Sequence, residues 1–179
     1  IVASPWSTFD TITLQKISPA GSLIWETKVR CSSWGDLGVG KDGAVWYVAP
    51  NSDTGGNDYR LYKMDGMGNI LFQKDLPKPI MATDARIKMF PSGGGYIACT
   101  GYNQNWNLII RIDESGEEIW RRTYTLPPTF DFQGIDTTQG KGCVVVGFVH
   151  YPTIGITTPY AYRIDSLGNF SQNLVSGTA

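Results

Sequence analysis

The chain has 179 residues, of which 41% are hydrophobic and 17% are charged, and its formal net charge is -1. This composition excludes an intrinsically disordered chain, and without a basic excess it argues against a nucleic-acid-binding protein. The longest apolar run, residues 143–149, is far shorter than the roughly 18 residues of a membrane-spanning helix, so no membrane insertion is predicted. Instead, 21 Gly, 10 Pro and 12% aromatic residues predict many short strands joined by tight turns.

The first predicted hairpin is LQKISPAGSLIW at residues 14–25, and its pattern returns three times along the chain. The pattern is a basic residue, an aliphatic residue, Asp (Ser in the first copy), two variable residues and Gly. The later copies are LYKMDGMGNILF at 61–72, IIRIDESGEEIW at 109–120 and AYRIDSLGNFSQ at 161–172. The spacings are 47, 48 and 52 residues between successive members of the series Gly21, Gly68, Gly116 and Gly168. A recurring spacing of this size indicates a structural repeat.

Each copy is predicted to be a β-hairpin closed by a structural turn. The side chains of Asp65, Asp113 and Asp165 can accept hydrogen bonds from the backbone two residues further on. The glycine of each copy can adopt the positive φ that closes a type I turn with a bulge.

A second repeated element lies between these hairpins. Its copies are VGKDGAVWYVA at 39–49, MFPSGGGYIACTG at 89–101 and TTQGKGCVVVGF at 138–148. A polar strand enters each Gly-rich turn and an apolar strand leaves it, and the run at 143–146 suits a strand covered on both faces. Each period therefore supplies four strands, called a and b around the Gly-rich turn and c and d around the Asp-x-x-Gly turn.

Four antiparallel strands in each repeat of about 48 residues predict an all-β chain, a β-propeller with about four blades present. A β-trefoil needs three repeats rather than four, and no segment has the apolar period of a helical solenoid. The chain is predicted to be one partial ring. Its blades are expected at about 1–30, 31–79, 80–127 and 128–179, with strand a missing from the first.

The motifs Asp-x-x-Gly-x-x-x-Trp at 113–120 and Gly-Gly-Tyr-Ile-x-x-x-Gly at 94–101 resemble the bacterial seven-bladed β-propeller repeat family. The resemblance implies a secreted or surface-attached bacterial protein. Seven blades would need roughly twice this length. The alternatives are a partial chain whose remaining blades are elsewhere, a closed four-bladed ring, and an oligomer, with the partial chain or oligomer favoured because an open edge invites pairing.

Propeller topology predicts that the short a–b and c–d turns lie on one face, the short-turn face. The longer b–c loops and d–a links lie on the other, the long-loop face, where binding residues are expected. Aromatic residues concentrate there, and we predict that they bind a ligand by stacking or anchoring. The predicted binding residues are Trp6, Trp34, Tyr102, Trp106 and Tyr151.

Other candidate sites are weaker. Cys31, Cys99 and Cys143 are predicted to be small buried side chains rather than disulfides or reactive thiols. The loop at 51–58 has the composition of a calcium loop but lacks its full pattern, so a solvated turn is favoured. The lone histidine, His150, cannot supply a multi-histidine zinc site, and no cofactor, metal or catalytic set is predicted.

The sequence therefore favours a non-catalytic extracellular module that binds a protein or glycan partner, or serves as a structural unit in an assembly. One alternative is a polysaccharide hydrolase or lyase that uses loop carboxylates. Its candidates are Asp10, Asp36, Asp53, Asp84 and Asp131. The other alternative is a structural protomer that completes a propeller by homo-oligomerisation.

Overall fold

The computed structural model describes residues 2–4, 11–32, 35–54, 58–77, 82–101, 106–125, 129–151 and 155–173. Within this part of the chain the backbone forms fifteen β-strands and two short 3-10 turns, at Lys41–Gly43 and Ser52–Thr54. No helix among the described residues has the length and apolar character needed to cross a membrane. The predicted all-β class is confirmed.

The strands form four antiparallel sheets that follow one another along the chain. Sheet 1 contains β1 (Val2–Ser4), β2 (Ile12–Ile17) and β3 (Leu23–Val29). Sheet 2 contains β4 (Asp36–Val39), β5 (Val45–Pro50), β6 (Asp58–Met64) and β7 (Ile70–Pro77). Sheet 3 contains β8 (Ala82–Met89), β9 (Gly95–Gly101), β10 (Trp106–Ile112) and β11 (Glu118–Thr125). Sheet 4 contains β12 (Thr129–Thr137), β13 (Cys143–Tyr151), β14 (Ile156–Ile164) and β15 (Phe170–Asn173).

Every sheet is a meander in which each strand pairs with the next strand in sequence. Sheets 2, 3 and 4 have the predicted order a, b, c, d. In sheet 1, β1 pairs with β2, and β2 pairs with β3 across the Ser18–Gly21 turn. These three strands therefore occupy the places of b, c and d.

The four c–d turns share one backbone geometry because each ends at a glycine. The Gly68 N–H donates to the Asp65 carbonyl at 3.1 Å, and the Gly116 N–H donates to the Asp113 carbonyl at 3.1 Å. The pairing register of strand c shifts just before each turn, for example between Lys63 and Met64 in β6. A type I turn followed by a bulge produces this combination.

Consecutive sheets pack face to face through three apolar cores. Side chains alternate along each strand, so in sheets 2 and 3 one face meets the previous sheet and the other meets the next. In sheet 2, for example, Tyr47 lies in the core shared with sheet 1, while Trp46 lies in the core shared with sheet 3. Tyr96 and Val145 meet in the core between sheets 3 and 4.

The run at 143–146 is not covered on both faces, so this prediction is wrong. Cys143 and Val145 are fully buried against sheet 3, whereas Val146 and Phe148 are each 43% exposed. No further sheet follows sheet 4 among the described residues, and the side chains that alternate to its outer face therefore meet solvent.

The three cysteines are buried and none forms a disulfide, as predicted. Each lies in a different core: Cys31 between sheets 1 and 2, Cys99 between sheets 2 and 3, and Cys143 between sheets 3 and 4. Burial raises the pKa of the Cys143 thiol to about 12, because the thiolate is poorly solvated there. The Cys31 thiol also contacts the Tyr47 hydroxyl, with 4.0 Å between sulfur and oxygen.

Candidate functional site

The aspartates of the c–d turns bind their own backbone. Asp65 Oδ1 accepts hydrogen bonds from the Met67 N–H at 2.8 Å and from the Asn69 N–H at 2.9 Å. Asp113 and Asp165 make the same two bonds, to the residues two and four positions later. Hydrogen bonds from the Asn69 side chain and backbone lower the pKa of Asp65, since they stabilise its carboxylate.

The turn glycines lie directly under the preceding sheet. Gly68 has φ +86°, and an ideal Cβ placed on it would lie 2.6 Å from the indole of Trp25 in sheet 1. Gly116 has φ +80°, and its Cβ would lie 2.6 Å from the ring of Phe72 in sheet 2. Glycine is therefore required twice, for the positive φ and for the absence of a side chain.

The basic residue and the aromatic residue of the repeat contact this turn from the preceding sheet. Lys63 Nζ donates to the Glu114 carbonyl at 2.8 Å, and Arg111 Nη1 donates to the Ser166 carbonyl at 2.6 Å. Trp120 Nε1 also donates to the Ser166 carbonyl, at 3.0 Å. We call this contact the inter-sheet latch. In it, the basic residue of strand c and the aromatic ring of strand d of one sheet contact the c–d turn of the next sheet.

A cleft of about 280 Å³ lies beside the latch between sheets 2 and 3, on the short-turn face. Its lining includes Lys41, Lys63, Trp46, Gly94 and Glu114. Lys63 Nζ lies 4.8 Å from the centre of the Trp46 ring in addition to its bond with the Glu114 carbonyl. The charge of Lys63 is thus already engaged by the fold rather than presented to a ligand.

A cluster of charged residues lies at the long-loop end of sheet 2. Arg60 is only 8% exposed and binds Asp75 through two nitrogens, at 2.6 and 3.1 Å. Its third nitrogen, Nη1, donates to Asp53 at 2.7 Å, and Arg30 lies 3.1 Å from the same carboxylate. The hydrogen bond from Arg60 lowers the pKa of Asp53.

This cluster bears on the loop at 51–58, of which residues 51–54 and 58 are described. Asp53 is its central carboxylate, and its oxygens already contact two guanidinium groups. Among the described residues no group of three or more His, Cys, Asp and Glu side chains is arranged to hold a metal ion.

The five predicted binding residues have different outcomes. Trp6, Trp34 and Tyr102 lie outside the described residues. Trp106 begins β10, where its backbone pairs with Thr125, and its side chain lies outside the described part. Tyr151 ends β13 and is 38% exposed. The described residues therefore neither assemble the five side chains nor separate them.

Tyr151 belongs to an exposed apolar pair at the tip of the β13–β14 hairpin. Its cross-strand partner is Ile156, which is 46% exposed. The Gly155 N–H donates to the Tyr151 carbonyl at 2.9 Å, and this bond joins the end of β13 to the residue just before β14. Two other aromatic residues beside the long loops, Tyr59 and Tyr160, are instead buried in the cores.

Of the five aspartates that are candidates for the alternative polysaccharide hydrolase or lyase, the structure describes the side chains of two, Asp36 and Asp53. Asp36 Oδ2 accepts a hydrogen bond from the Ile87 N–H at 2.9 Å, and Asp53 is paired with arginines. Asp10 lies outside the described residues, as do the side chains of Asp84, Asp131 and His150. The two described carboxylates thus have partners within the fold.

Sequence reasoning missed the inter-sheet latch. The signal was present, because a basic residue precedes the aliphatic residue and the Asp, or Ser18 in the first copy, in all four copies: Lys16, Lys63, Arg111 and Arg163. In sheets 1, 2 and 3 the basic residue donates outside its own hairpin. Its partner is a turn about fifty residues away in sequence, and only the stacked sheets reveal that contact.

No protein-family model matches the chain, and no curated protein matches it. Among solved structures, a Bacteroides caccae protein of unknown function aligns with TM-score 0.59 and 15% identity, over 98% of this chain and 58% of that one. Apocarotenoid oxygenase from Synechocystis aligns with TM-score 0.50 and 12% identity, over 97% of this chain and 46% of that one. Hydrazine synthase from Kuenenia stuttgartiensis aligns with TM-score 0.46 and 11% identity, over 92% and 60%.

The sheets are blades of a β-propeller. The chain spans about half the length of the structures that it resembles. At these low identities the similarity shows the fold alone, because one propeller architecture serves many unrelated functions.

Proposed function

We propose that this chain is a non-catalytic β-propeller module that binds a protein or glycan partner through its long-loop face. The supporting observation is the exposed pair Tyr151 and Ile156 at the tip of the β13–β14 hairpin. An aromatic ring at the end of a paired strand offers contact area at little cost in conformational entropy. Trp106 begins β10, the strand of sheet 3 that corresponds to the β14 strand of Ile156, and its side chain is expected to extend the same surface.

The short-turn face has a different use of its polar groups. Its aspartates bind the turn backbone and its bases bind the next turn, as in the bonds of Asp65 and Lys63. At the hairpin tip, by contrast, the hydrogen bond that Tyr151 accepts at its backbone carbonyl comes from Gly155 of the same hairpin, and its side chain is 38% exposed. Ion pairs of Arg60 with Asp53 and Asp75 also stabilise the long-loop end of sheet 2, so it is the exposed Tyr151 ring that favours this face as the binding surface.

We also propose membership of the bacterial seven-bladed β-propeller repeat family and a secreted or cell-surface location. The support is the Asp-x-x-Gly-x-x-x-Trp motif at 113–120, of which the other three copies are variants, and whose Asp113, Gly116 and Trp120 all act in the turn or the latch. The proposal is of a module within a bacterial protein exposed to its surroundings.

Affinity electrophoresis of the full chain through gels containing a panel of soluble polysaccharides tests glycan binding. At least one polysaccharide is expected to retard the chain, and Trp106→Ala or Tyr151→Ala should abolish most of the retardation. Met67→Ala is the matched control, because Met67 is 74% exposed on the short-turn face.

Equal loss in the Met67→Ala control would contradict the assignment to the long-loop face. Lack of retardation by every polysaccharide would contradict glycan binding. Release of reducing ends that Asp36→Asn abolishes would establish the enzyme instead.

A further inference from the structure

The outer face of sheet 4 repeats positions that are buried in the other sheets. The basic residue of strand c is the cross-strand partner of a residue in strand b. That residue is Trp46 in sheet 2, Tyr96 in sheet 3 and Val144 in sheet 4. Two residues further on, Val48 and Ala98 are 0% and 2% exposed, whereas Val146 is 43% exposed. Sheet 4 thus presents an apolar surface where sheets 2 and 3 carry an inter-sheet core.

The latch region of sheet 4 is also one half of a site. A cleft of about 220 Å³ at its short-turn face is lined by Thr138, Gly142, Arg163, Asp165 and Ser166. The corresponding cleft of sheet 2 has the same kind of lining and is completed by Gly93, Gly94 and Glu114 from sheet 3. The turns of sheet 3 thus form the second wall of the cleft beside sheet 2, and among the described residues the cleft beside sheet 4 has only its first wall.

One turn of this chain has the geometry of that missing half. Gly21 has φ +83°, as Gly168 does, and its N–H donates to the Ser18 carbonyl at 2.9 Å. Ser18 Oγ accepts the Ser22 N–H at 3.0 Å, replacing the turn aspartate. An ideal Cβ on Gly21 would meet nothing within 4 Å, whereas Cβ atoms on the three later turn glycines would meet the preceding sheet at 2.6 to 2.7 Å.

The outer face of sheet 1 carries apolar residues at matching positions. Ile17 precedes the turn as Met64, Ile112 and Ile164 do, but it is 37% exposed while those three are buried. Leu23 and Ile24 are also exposed, but so are Leu71 and Ile119 at the position of Ile24 in sheets 2 and 3, so Ile17 is the residue that distinguishes sheet 1. The same face also carries Gln15, hydrogen-bonded to Glu26, so it is more polar than the outer face of sheet 4.

We propose that the outer face of sheet 4 binds the outer face of sheet 1 of a second copy of this chain, in a head-to-tail contact. The Gly21 turn of one copy enters the open cleft of the other, and Val146 of one packs near Ile17 of the other. The contact continues the packing seen between consecutive sheets within the chain.

The contact is expected to be reversible and weaker than those within the chain. Gln172 pairs with Arg163 at the place where the other sheets have Trp25, Phe72 and Trp120, so the ring of the latch is missing. Gln15 replaces the apolar side chains found at its position in later sheets. We expect a dissociation constant in the micromolar range. This contact does not depend on the ligand proposed for the long-loop face.

Sedimentation equilibrium of the full chain across the micromolar range tests the proposal. The weight-average mass is expected to rise above that of one chain as concentration increases. Val146→Arg and Gly21→Asn should each keep the mass at one chain, because each alters one of the two faces. Asn tolerates positive φ, so Gly21→Asn retains the turn while adding a side chain.

Mixing the two variants separates head-to-tail from two-fold packing. Each variant retains one native face, so the mixture is expected to associate although neither variant does alone. Met67→Arg, which adds the same charge at an exposed turn of sheet 2, should leave association unchanged.

A native chain of single-chain mass at every concentration would overturn the proposal. Association that survives Gly21→Asn but not Val146→Arg would also overturn it, in favour of two sheet 4 faces meeting. Circular dichroism and the unfolding midpoint of each variant must match the native chain, and Phe148→Asp provides a second variant of the same face.

Discussion

At the scale of single residues, glycine has two separable roles in this chain. Gly43 and Gly116 both have positive φ, at +72° and +80°. Nothing lies within 4 Å of an ideal Cβ on Gly43, whereas a Cβ on Gly116 would lie 2.6 Å from Phe72. Gly43 is therefore required only for its positive φ, whereas Gly116 is required both for its positive φ and for its close contact with the neighbouring sheet.

This difference predicts different costs for the same substitution. Gly43→Ala should cost about 1–2 kcal/mol of unfolding free energy, the usual penalty for a side chain in the left-handed region. Gly116→Ala should cost a further 1–3 kcal/mol or so, because the new methyl overpacks against Phe72. Urea unfolding of both variants measures the difference. Equal costs would show that the close approach at Gly116 contributes nothing to stability.

At the scale of elements, the inter-sheet latch combines ring packing with a hydrogen bond. Trp25 is 9% exposed, packs on Gly68 and donates from Nε1 to the Gly66 carbonyl at 3.0 Å. The chain itself contains a variant of this arrangement, since Phe72 fills the same position without an N–H. The ring is therefore the common component, and the hydrogen bond is an addition.

Two substitutions of Trp25 separate these components. Trp25→Phe should cost about 1 kcal/mol, the typical net value of one hydrogen bond, because Lys16 Nζ still donates to the Gly66 carbonyl. Trp25→Ala should cost about 3–5 kcal/mol, since it leaves a cavity between sheets 1 and 2. Denaturant unfolding measures both costs. An equal loss in the two variants would contradict the dominance of ring packing.

At the scale of the whole molecule, stability is distributed over three cores in series. Each core joins two consecutive sheets, so within the described part of the chain sheets 1 and 4 have one neighbour each while sheets 2 and 3 have two. In such arrays stability is close to a sum of nearest-neighbour terms, and the ends open first. Each core contains one cysteine, which makes its opening measurable.

Thiol alkylation in urea below the unfolding midpoint should therefore be unequal. Cys99, in the middle core, is expected to react more slowly than Cys31 and Cys143, because opening of either end sheet leaves its core intact. Mass spectrometry of the resulting peptides gives the three rates. As a control, the rates should converge in fully unfolding urea. Equal protection below the midpoint would mean that the four sheets unfold as one unit.

Much of the fold follows from local signals in the sequence. The Asp-x-x-Gly spacing predicts the hairpins, and Asp65 and Gly68 take up the turn geometry expected of their residue types. The alternation of apolar runs and turns predicts four blades, because strand pairing between sequence neighbours needs only residues that are close along the chain. The burial of Cys99 also follows from its apolar surroundings.

The contacts between sheets depend on the tertiary structure, since they join residues about fifty positions apart. The sequence shows that Lys63 recurs in the repeat, but the folded chain alone shows that it binds the Glu114 carbonyl. The sequence also shows that Val146 is apolar. Only the folded chain shows that the face of sheet 4 that carries Val146 has no covering sheet among the described residues. Local periodicity therefore determines the blades. Their stacking decides which repeated residues hold the blades together and which face is left exposed.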